Sequence, residues 1–293
     1  MGRHALSRPP GQIALQAPPP HDQWKRGLLS GTLTLALETP PGQFVSPGTG
    51  RLGLTEMESK EIVAQRAARA GKTPVLPGSG IKGAVRTLYE LLSFSCNPFE
   101  RSGPCSARQC CDACSLFGRL GYAGRVGFSD AVPAGKGAKV EVRKVPVPFE
   151  GHGHRTPGDF RVYDFQEDTV PGSRDKRTKD MAREVYTGAF DTRMTFRNLT
   201  PEELGRLLLA MGLGGDEKTR FLLRLGGVKY DGQGAIKVTP VSLGLVFPKR
   251  RTLKQDDCTR ECGEWIQSAR TSSWAQTFWP KLEEAANVLQ PGS

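Results

Sequence analysis

Five of the chain's seven cysteines fall at positions 96, 105, 110, 111 and 114, and no other feature narrows the possible folds as much. The segment around them is polar and bounded by Gly and Pro, so it offers no apolar core in which to bury thiols. Residues 1–20 lack the hydrophobic core of a signal peptide, and an odd cysteine count in a chain expected to be intracellular points to metal or isolated thiols before disulfides. Cys111-x-x-Cys114 is a knuckle that aims two thiolates at one ion, and upstream cysteines can complete a tetrahedron. The predicted ligands are Cys96, Cys105, Cys111 and Cys114, with Cys110 as the substitute. Four sulfurs leave no open coordination position, so the expected zinc is structural. Cys258 and Cys262, four apart on a possible helix, are expected to pack or to lie exposed.

Hydropathy periodicity lays out the rest. Gly27–Glu38 alternates apolar and small polar residues, as a half-buried strand does. Residues 40–72 predict an extended loop with a short helix in E-I-V-A-Q-R-A-A-R-A-G-K. Ile81, Val85, Leu88, Leu91 and Leu92 stand at helical spacing within Ile81–Phe94. Strands are predicted over Arg125–Ala131 and Lys139–Val147, with a strand pair in Glu184–Arg197. In N-L-T-P-E-E-L, Thr200 is a candidate N-cap, Pro201 the first helical residue and Glu203 the partner of a capping box. A Gly-rich loop at 225–234 precedes a last strand, Ala235–Phe247. This order predicts an α+β fold with a βαββαβ core, ferredoxin-like or RRM-like, over residues 27–249. The knuckle (95–118) and a long polar arm (140–183) are its insertions. The Pro-rich residues 1–26 predict a flexible leader. Residues 250–293, with Trp265, Trp274, Phe278 and Trp279, predict a small helical tail packed on the core. No apolar run reaches the length of a membrane span, and the expected location is cytoplasmic.

The formal charge is +11 and the pI about 9.5. Nucleic acid is the partner such an excess favours, because each Lys or Arg at a phosphate releases counterions; a basic surface kept for solubility is the alternative. G-S-G-I-K-G (78–83) fits the G-x-G-x-x-G pattern of a dinucleotide turn, but its context does not. Pro74 and Pro77 exclude a central strand before the first glycine, and the region some 20 residues on is cysteine-rich. A P-loop fails too, since Lys82 is not followed by Ser or Thr. What remains is a backbone turn at Gly78, Gly80 and Gly83 onto a helix start, where free N–H groups attract anions. Lys82 and Arg86 lie one helical turn apart beside it.

P-G-S-G-I-K-G-A-V-R-T-L resembles the signature before the first helix of the RAMP superfamily, the proteins that form the backbone of type III CRISPR effector complexes. Four more stretches agree in order: C-D-A-C-S-L-F-G (111–118), R-V-G-F-S-D-A (125–131), E-V-Y-T-G-A-F-D-T-R-M-T-F-R-N-L-T-P-E-E-L (184–204) and G-G-V-K-Y-D-G-Q-G (226–234). The resemblance covers about residues 27–247. It implies a subunit that binds CRISPR guide RNA, meets complementary target RNA, and assembles with other effector subunits into a filament-like antiviral complex. By motif, Ser79, Lys82 and Arg86 are implied to contact guide phosphates, with Gly226, Gly227, Lys229, Gly232 and Gly234 as the second wall. The 140–183 arm, with Phe149, Phe160 and Tyr163, is implied to be a thumb that displaces bases of the guide–target duplex. Specificity then resides in the guide, while the protein reads backbone and shape.

Family members that cut target RNA use an aspartate in the loop after the first strand, with a divalent metal. Residues 39–59 contain no Asp; Glu56 and Glu58 are the acids there. The expectation is binding without cutting, with Mg or Mn needed only if cleavage occurs. His152 and His154 suggest acid–base processing of a guide precursor as an alternative, against a solvated loop. A zinc-containing RNA-binding protein outside CRISPR biology is the third possibility.

Overall fold

The computed structural model describes residues 3–96, 103–135, 137–146, 159–163 and 180–290. In chain order its main elements are β1 (Arg3–Ser7), β2 (Leu29–Glu38), β3 (Gly48–Met57), β4 (Lys60–Ala67), α1 (Gly78–Leu91) and α2 (Asp112–Phe117). Then come β5 (Val126–Phe128), β6 (Lys139–Pro146), β7 (Asp159–Tyr163), β8 (Asp180–Thr187), β9 (Ala189–Leu199) and α3 (Pro201–Ala210). The chain closes with β10 (Leu223–Arg224), β11 (Ala235–Phe247), β12 (Arg251–Lys254), α4 (Gln255–Arg270) and α5 (Ser273–Leu289).

The fold is mixed α+β, built on sheets that are antiparallel except for the β4–β8 pair. The central sheet runs β5–β9–β2–β11, every neighbour antiparallel, and β10 and β12 pair with the outer edge of β11. Helices fill the crossovers: α1 and the short α2 between β2 and β5, α3 between β9 and β11. Strict alternation in L-S-G-T-L-T-L-A-L-E sends Leu33, Leu35 and Leu37 to one face, where they join Phe190, Met194, Leu243 and Leu245 in the main core. Ile81, Val85 and Leu88 of α1 and Leu204, Leu207 and Leu208 of α3 complete that core, each buried side chain contributing roughly 1.5–3 kcal/mol before entropy. The α3 capping box is present: the Thr200 hydroxyl accepts from the Glu203 N–H at 3.0 Å and the Glu203 carboxylate from the Thr200 N–H at 2.8 Å.

A second sheet, β6–β8–β4–β3, corrects the reading of residues 40–72. The expected loop and short helix are a hairpin, β3 paired with β4 through a two-residue turn at Glu58 and Ser59. Both turn residues have positive φ (52° and 61°), as the tightest hairpin turns require. The Glu, Arg and Ala residues of β4 favour helix locally, but pairing with β3 and β8 overrides that propensity. Buried Glu184 locks the junction, its carboxylate taking Arg66 at 2.5 Å, Arg69 at 2.7 Å and the Ala67 N–H at 2.9 Å. Burial alone would raise the Glu184 pKa; the hydrogen bonds from Arg69 and Ala67 outweigh it and hold the pKa low.

The described part of the 1–26 segment does not hang free. β1 pairs with β7, Leu6 is buried, Gln16 bridges Cys110, and the Asn198 amide donates to the carbonyls of Pro20 and Gln23. The leader's prolines suit an extended chain laid over the body, which composition alone does not distinguish from a free one. The segment after residue 250 adds a strand, β12, as well as two helices. Trp265 meets the Phe196 ring edge-on at 6.0 Å, and the Trp274 indole N–H donates to the Leu92 carbonyl at 2.6 Å. Among the described residues no helix is long and apolar enough to cross a membrane.

Candidate nucleic-acid interface and metal centre

α1 ends beside the cysteine segment, and α2 begins on it. Cys96 follows the helix, Cys111 is the N-cap of α2 and Cys114 lies in its first turn. The Sγ atoms of Cys96, Cys105, Cys111 and Cys114 all lie within 4.8 Å of one another, and all four residues are buried. A tetrahedral thiolate site with metal–sulfur bonds of about 2.3 Å has sulfurs about 3.8 Å apart; the Cys96–Cys111 and Cys96–Cys114 pairs stand at 3.8 and 3.4 Å. Backbone N–H groups already point at sulfur, Cys96 to Cys111 and Cys111 to Cys105. The donor set fits one soft metal ion such as zinc. Hydrogen bonds from Cys114 and Cys96 hold the Cys111 thiol low, while the bond to Cys111 pushes Cys114 up to about 12.

Cys110 is not in this cluster. Its sulfur turns to the Ser106 carbonyl and its backbone pairs with Gln16. The premise that this segment has no core also fails, since all five thiols are buried against α1, α2 and the leader. Cys258 and Cys262 are buried on α4.

Arg86 is half-buried, and its guanidinium is engaged within the chain. Its Nε donates to Glu90 at 2.7 Å, one Nη to the Gly118 carbonyl at 2.9 Å, and the other lies 3.8 Å from the Cys114 sulfur. Burial opposes the Arg86 charge, but the bond to Glu90 and the nearby thiols raise its pKa. The i, i+4 spacing of Arg86 and Glu90 was the sequence signal for this pairing. Arg86 thus bolts α1 to the knuckle.

The motif stretches bond to one another. Asp130 of R-V-G-F-S-D-A accepts from the Gly78 N–H at 2.8 Å, so one free amide of the α1 start is already satisfied. Buried Arg125 of the same stretch donates to the Ser115 hydroxyl at 2.8 Å, the Asn198 carbonyl at 2.7 Å and the capping-box Glu203. Arg206 on α3 pairs with Asp112 at the start of α2. None of Asp130, Arg125 or Arg206 stood out by spacing, because Gly78, Asn198 and Asp112 are respectively 52, 73 and 94 residues from them.

Ser79, Gly80 and Gly83 are exposed on α1, and a Cβ added at either glycine would meet nothing within 4 Å. The Gly-rich loop is held by backbone bonds, within itself and to residues 44 and 46. Gly226, Gly232 and Gly234 have φ of 84°, 70° and 92°. The Leu225 N–H donates to Gly234, the Gly227 N–H to Ser46 and the Gly234 N–H to Phe44. Arg224, which sequence reading passed over, braces the loop through the carbonyls of Gly232 and Lys229. The Lys229 side chain enters a slot shared with Ala84 and Thr87 of α1 and with Phe160 and Tyr163. Burial, then the charge of Arg224, pulls its pKa down. Lys82 opens onto a different groove, its pKa lowered by burial and by Arg86. Thr87 of α1 and Lys229 of the Gly-rich loop thus line one slot, while Lys82 lines another groove and Arg86 is paired to Glu90.

The 140–183 arm is a hairpin at its base, where β6 and β8 pair residue for residue from Lys139↔Thr187 to Pro146↔Asp180. Phe149, His152 and His154 lie outside the described residues. Phe160 and Tyr163 are on β7, which lies against the body through β1, with the Arg8 guanidinium 5.6 Å from the Phe160 ring. They are not on a projecting arm, because β1 supplies a strand partner on the body. Glu56 sits opposite Glu61 at the β3–β4 tip and Glu58 in the turn, all exposed. Among the described residues, the four-cysteine cluster is the group placed to hold a metal.

Fold and site together define an α+β protein in which a buried four-thiol centre anchors the helix of a glycine turn. The model of the RAMP superfamily matches residues 43–269, most of the chain, and the chain belongs to that superfamily of CRISPR-associated RNA-binding proteins. No curated protein matches it significantly.

Proposed function

We propose that this chain is an RNA-binding backbone subunit of a type III CRISPR ribonucleoprotein, holding the guide RNA and displacing bases of the guide–target duplex. The family match carries the reading. The strand order β5–β9–β2–β11, with a helix in each crossover, supports an RRM-like core. Guide backbone would run along the exposed Ser79–Gly80–Gly83 face of α1 toward the Gly-rich loop, where Lys229 meets a phosphate. Gly226, Gly227, Gly232 and Gly234 shape that second wall. Arg86 acts through the knuckle, keeping α1 in place, and zinc in the four-cysteine site would hold the knuckle itself. The β6–β8 hairpin is the base of the thumb.

The subunit binds without cutting, a reading supported by the missing Asp in 39–59 and by the position of Glu56 and Glu58 on an exposed tip. The test is to purify the assembled complex and sequence its RNA. Guide-length RNA carrying repeat sequence is expected, and its absence overturns the reading. Complementary RNA with Mg²⁺ or Mn²⁺ is expected to stay intact opposite this subunit; cuts lost on Glu56→Ala would make it a nuclease.

A further inference from the structure

The groove that Lys82 enters has a volume of 750 Å³ and is separate from the Lys229 slot. Its floor is one end of the central sheet, at Gly31, Gly127 and Thr195, and its walls are residues 117–124 and the leader. Lys82, Arg119 and Arg197 line it, and among the described residues no Asp or Glu does. The Nε atoms of Arg119 and Arg197 are buried and have no hydrogen-bond partner among the described residues. Arg125 also lines the groove, but Glu203 neutralises it.

Two aromatic platforms flank these cations. Trp24 is 51% exposed, its ring backed by Phe247 at 5.7 Å. His21 packs on Tyr122 at 5.1 Å, and its Nε2 donates to the Ala123 carbonyl at 2.7 Å, which fixes the imidazole plane. Cations and braced rings lining one open channel match single-stranded nucleic acid, which offers a phosphate and a stacking face at every step. A compact anion would leave the rings unused, and an apolar ligand would leave the cations unpaired.

We propose that this groove is a second track for single-stranded RNA, with bases stacking on Trp24 and on the His21–Tyr122 pair and phosphates meeting Lys82, Arg119 and Arg197. It rests on the RNA-binding reading above. The family match begins at residue 43, so the His21 and Trp24 platforms lie outside it.

The test uses the full chain and a labelled single-stranded uridine oligonucleotide. Trp24→Ala is expected to weaken binding by roughly 5- to 100-fold, and Trp24→Phe to restore most of it. Arg119→Ala with Arg197→Ala should reduce the slope of log affinity against log salt by about 1.4, two phosphates' worth. Ultraviolet crosslinks are expected at Trp24 or Tyr122. Lys229→Ala is the reference. If it weakens binding while the Trp24 and arginine variants do not, or if crosslinks fall only within 225–234, the groove proposal is overturned and the backbone reading stands. If the wild-type chain binds no RNA in isolation or in its complex, both fall.

Discussion

The two glycine elements use the same residue for opposite reasons. In the late loop, Gly226, Gly232 and Gly234 all have positive φ, and a Cβ on Gly234 would lie 2.2 Å from the Leu225 carbonyl oxygen. Those glycines serve the chain's own backbone. On α1, Gly80 and Gly83 are in ordinary helical conformation with open space where a side chain would be. Each costs the helix about 1 kcal/mol relative to alanine and gains the fold nothing in return. The open face is what they preserve. Their supports differ as well: α1 is bolted through Arg86 to the cysteine centre, whereas the loop is held by backbone bonds and Arg224. A glycine-rich motif therefore does not report on a ligand until the space around each glycine is known.

Metal removal should split the two elements most sharply. Structural zinc contributes about 10–16 kcal/mol in isolated finger peptides; here a shared core persists, and a loss of several kcal/mol is expected. Cys111→Ser should abolish stoichiometric metal by elemental analysis, whereas Cys110→Ser should retain it. Hydrogen exchange should rise through α1 and α2 and stay low at 225–234. Equal exchange in both would show that the loop depends on the knuckle too.

The reverse cut is Gly234→Ala. Strain at φ 92° together with the clash on Leu225 should cost about 3 kcal/mol or more in urea unfolding. Arg224→Ala, which leaves two carbonyls without their donor, should cost about 1–3 kcal/mol. Metal content should be unchanged in both. Loss of metal in either would merge the two regions into one cooperative unit.

Much of this arrangement was legible where the pattern is local. Alternation placed β2, β-forming residues placed a strand pair at β8 and β9, and the Gly-rich loop announced β11; helical spacing placed α1 and α3; Thr200–Glu203 announced its capping box; and Cys-x-x-Cys with two upstream cysteines gave the cluster found in space. What was not legible depends on distant partners. β4 reads as helix until β3 and β8 are beside it. The leader reads as free until β7 and Asn198 take its backbone. Arg125 and Asp130 look like ordinary strand-end polar residues, yet they join three motifs. The charge count located a basic protein but not which cations are spent internally: Arg86, Arg125 and Arg206 are paired.

Lys229 offers a finer separation of fold from ligand. Burial disfavours its charge, so Lys229→Met should leave stability unchanged or slightly raised. RNA affinity should fall roughly tenfold and the salt slope by about 0.7, one phosphate's share. A variant that loses stability instead would make Lys229 a brace for the loop, as Arg224 is.

The smallest expected effect is the most diagnostic. Gly83→Ala places a methyl on an exposed helix face with nothing within 4 Å, so it should stabilise the chain by about 0.8–1 kcal/mol. If a sugar–phosphate backbone lies against that face, the same methyl must push it away, and affinity should drop about 3- to 10-fold, on the order of 1 kcal/mol. Opposite signs for stability and binding from one methyl are the mark of a surface kept bare for a ligand. A variant that is more stable and binds RNA as tightly as before would show the bareness to be incidental. The two glycine elements would then differ only in backbone geometry, and the RNA path would have to leave α1 for the groove at Trp24.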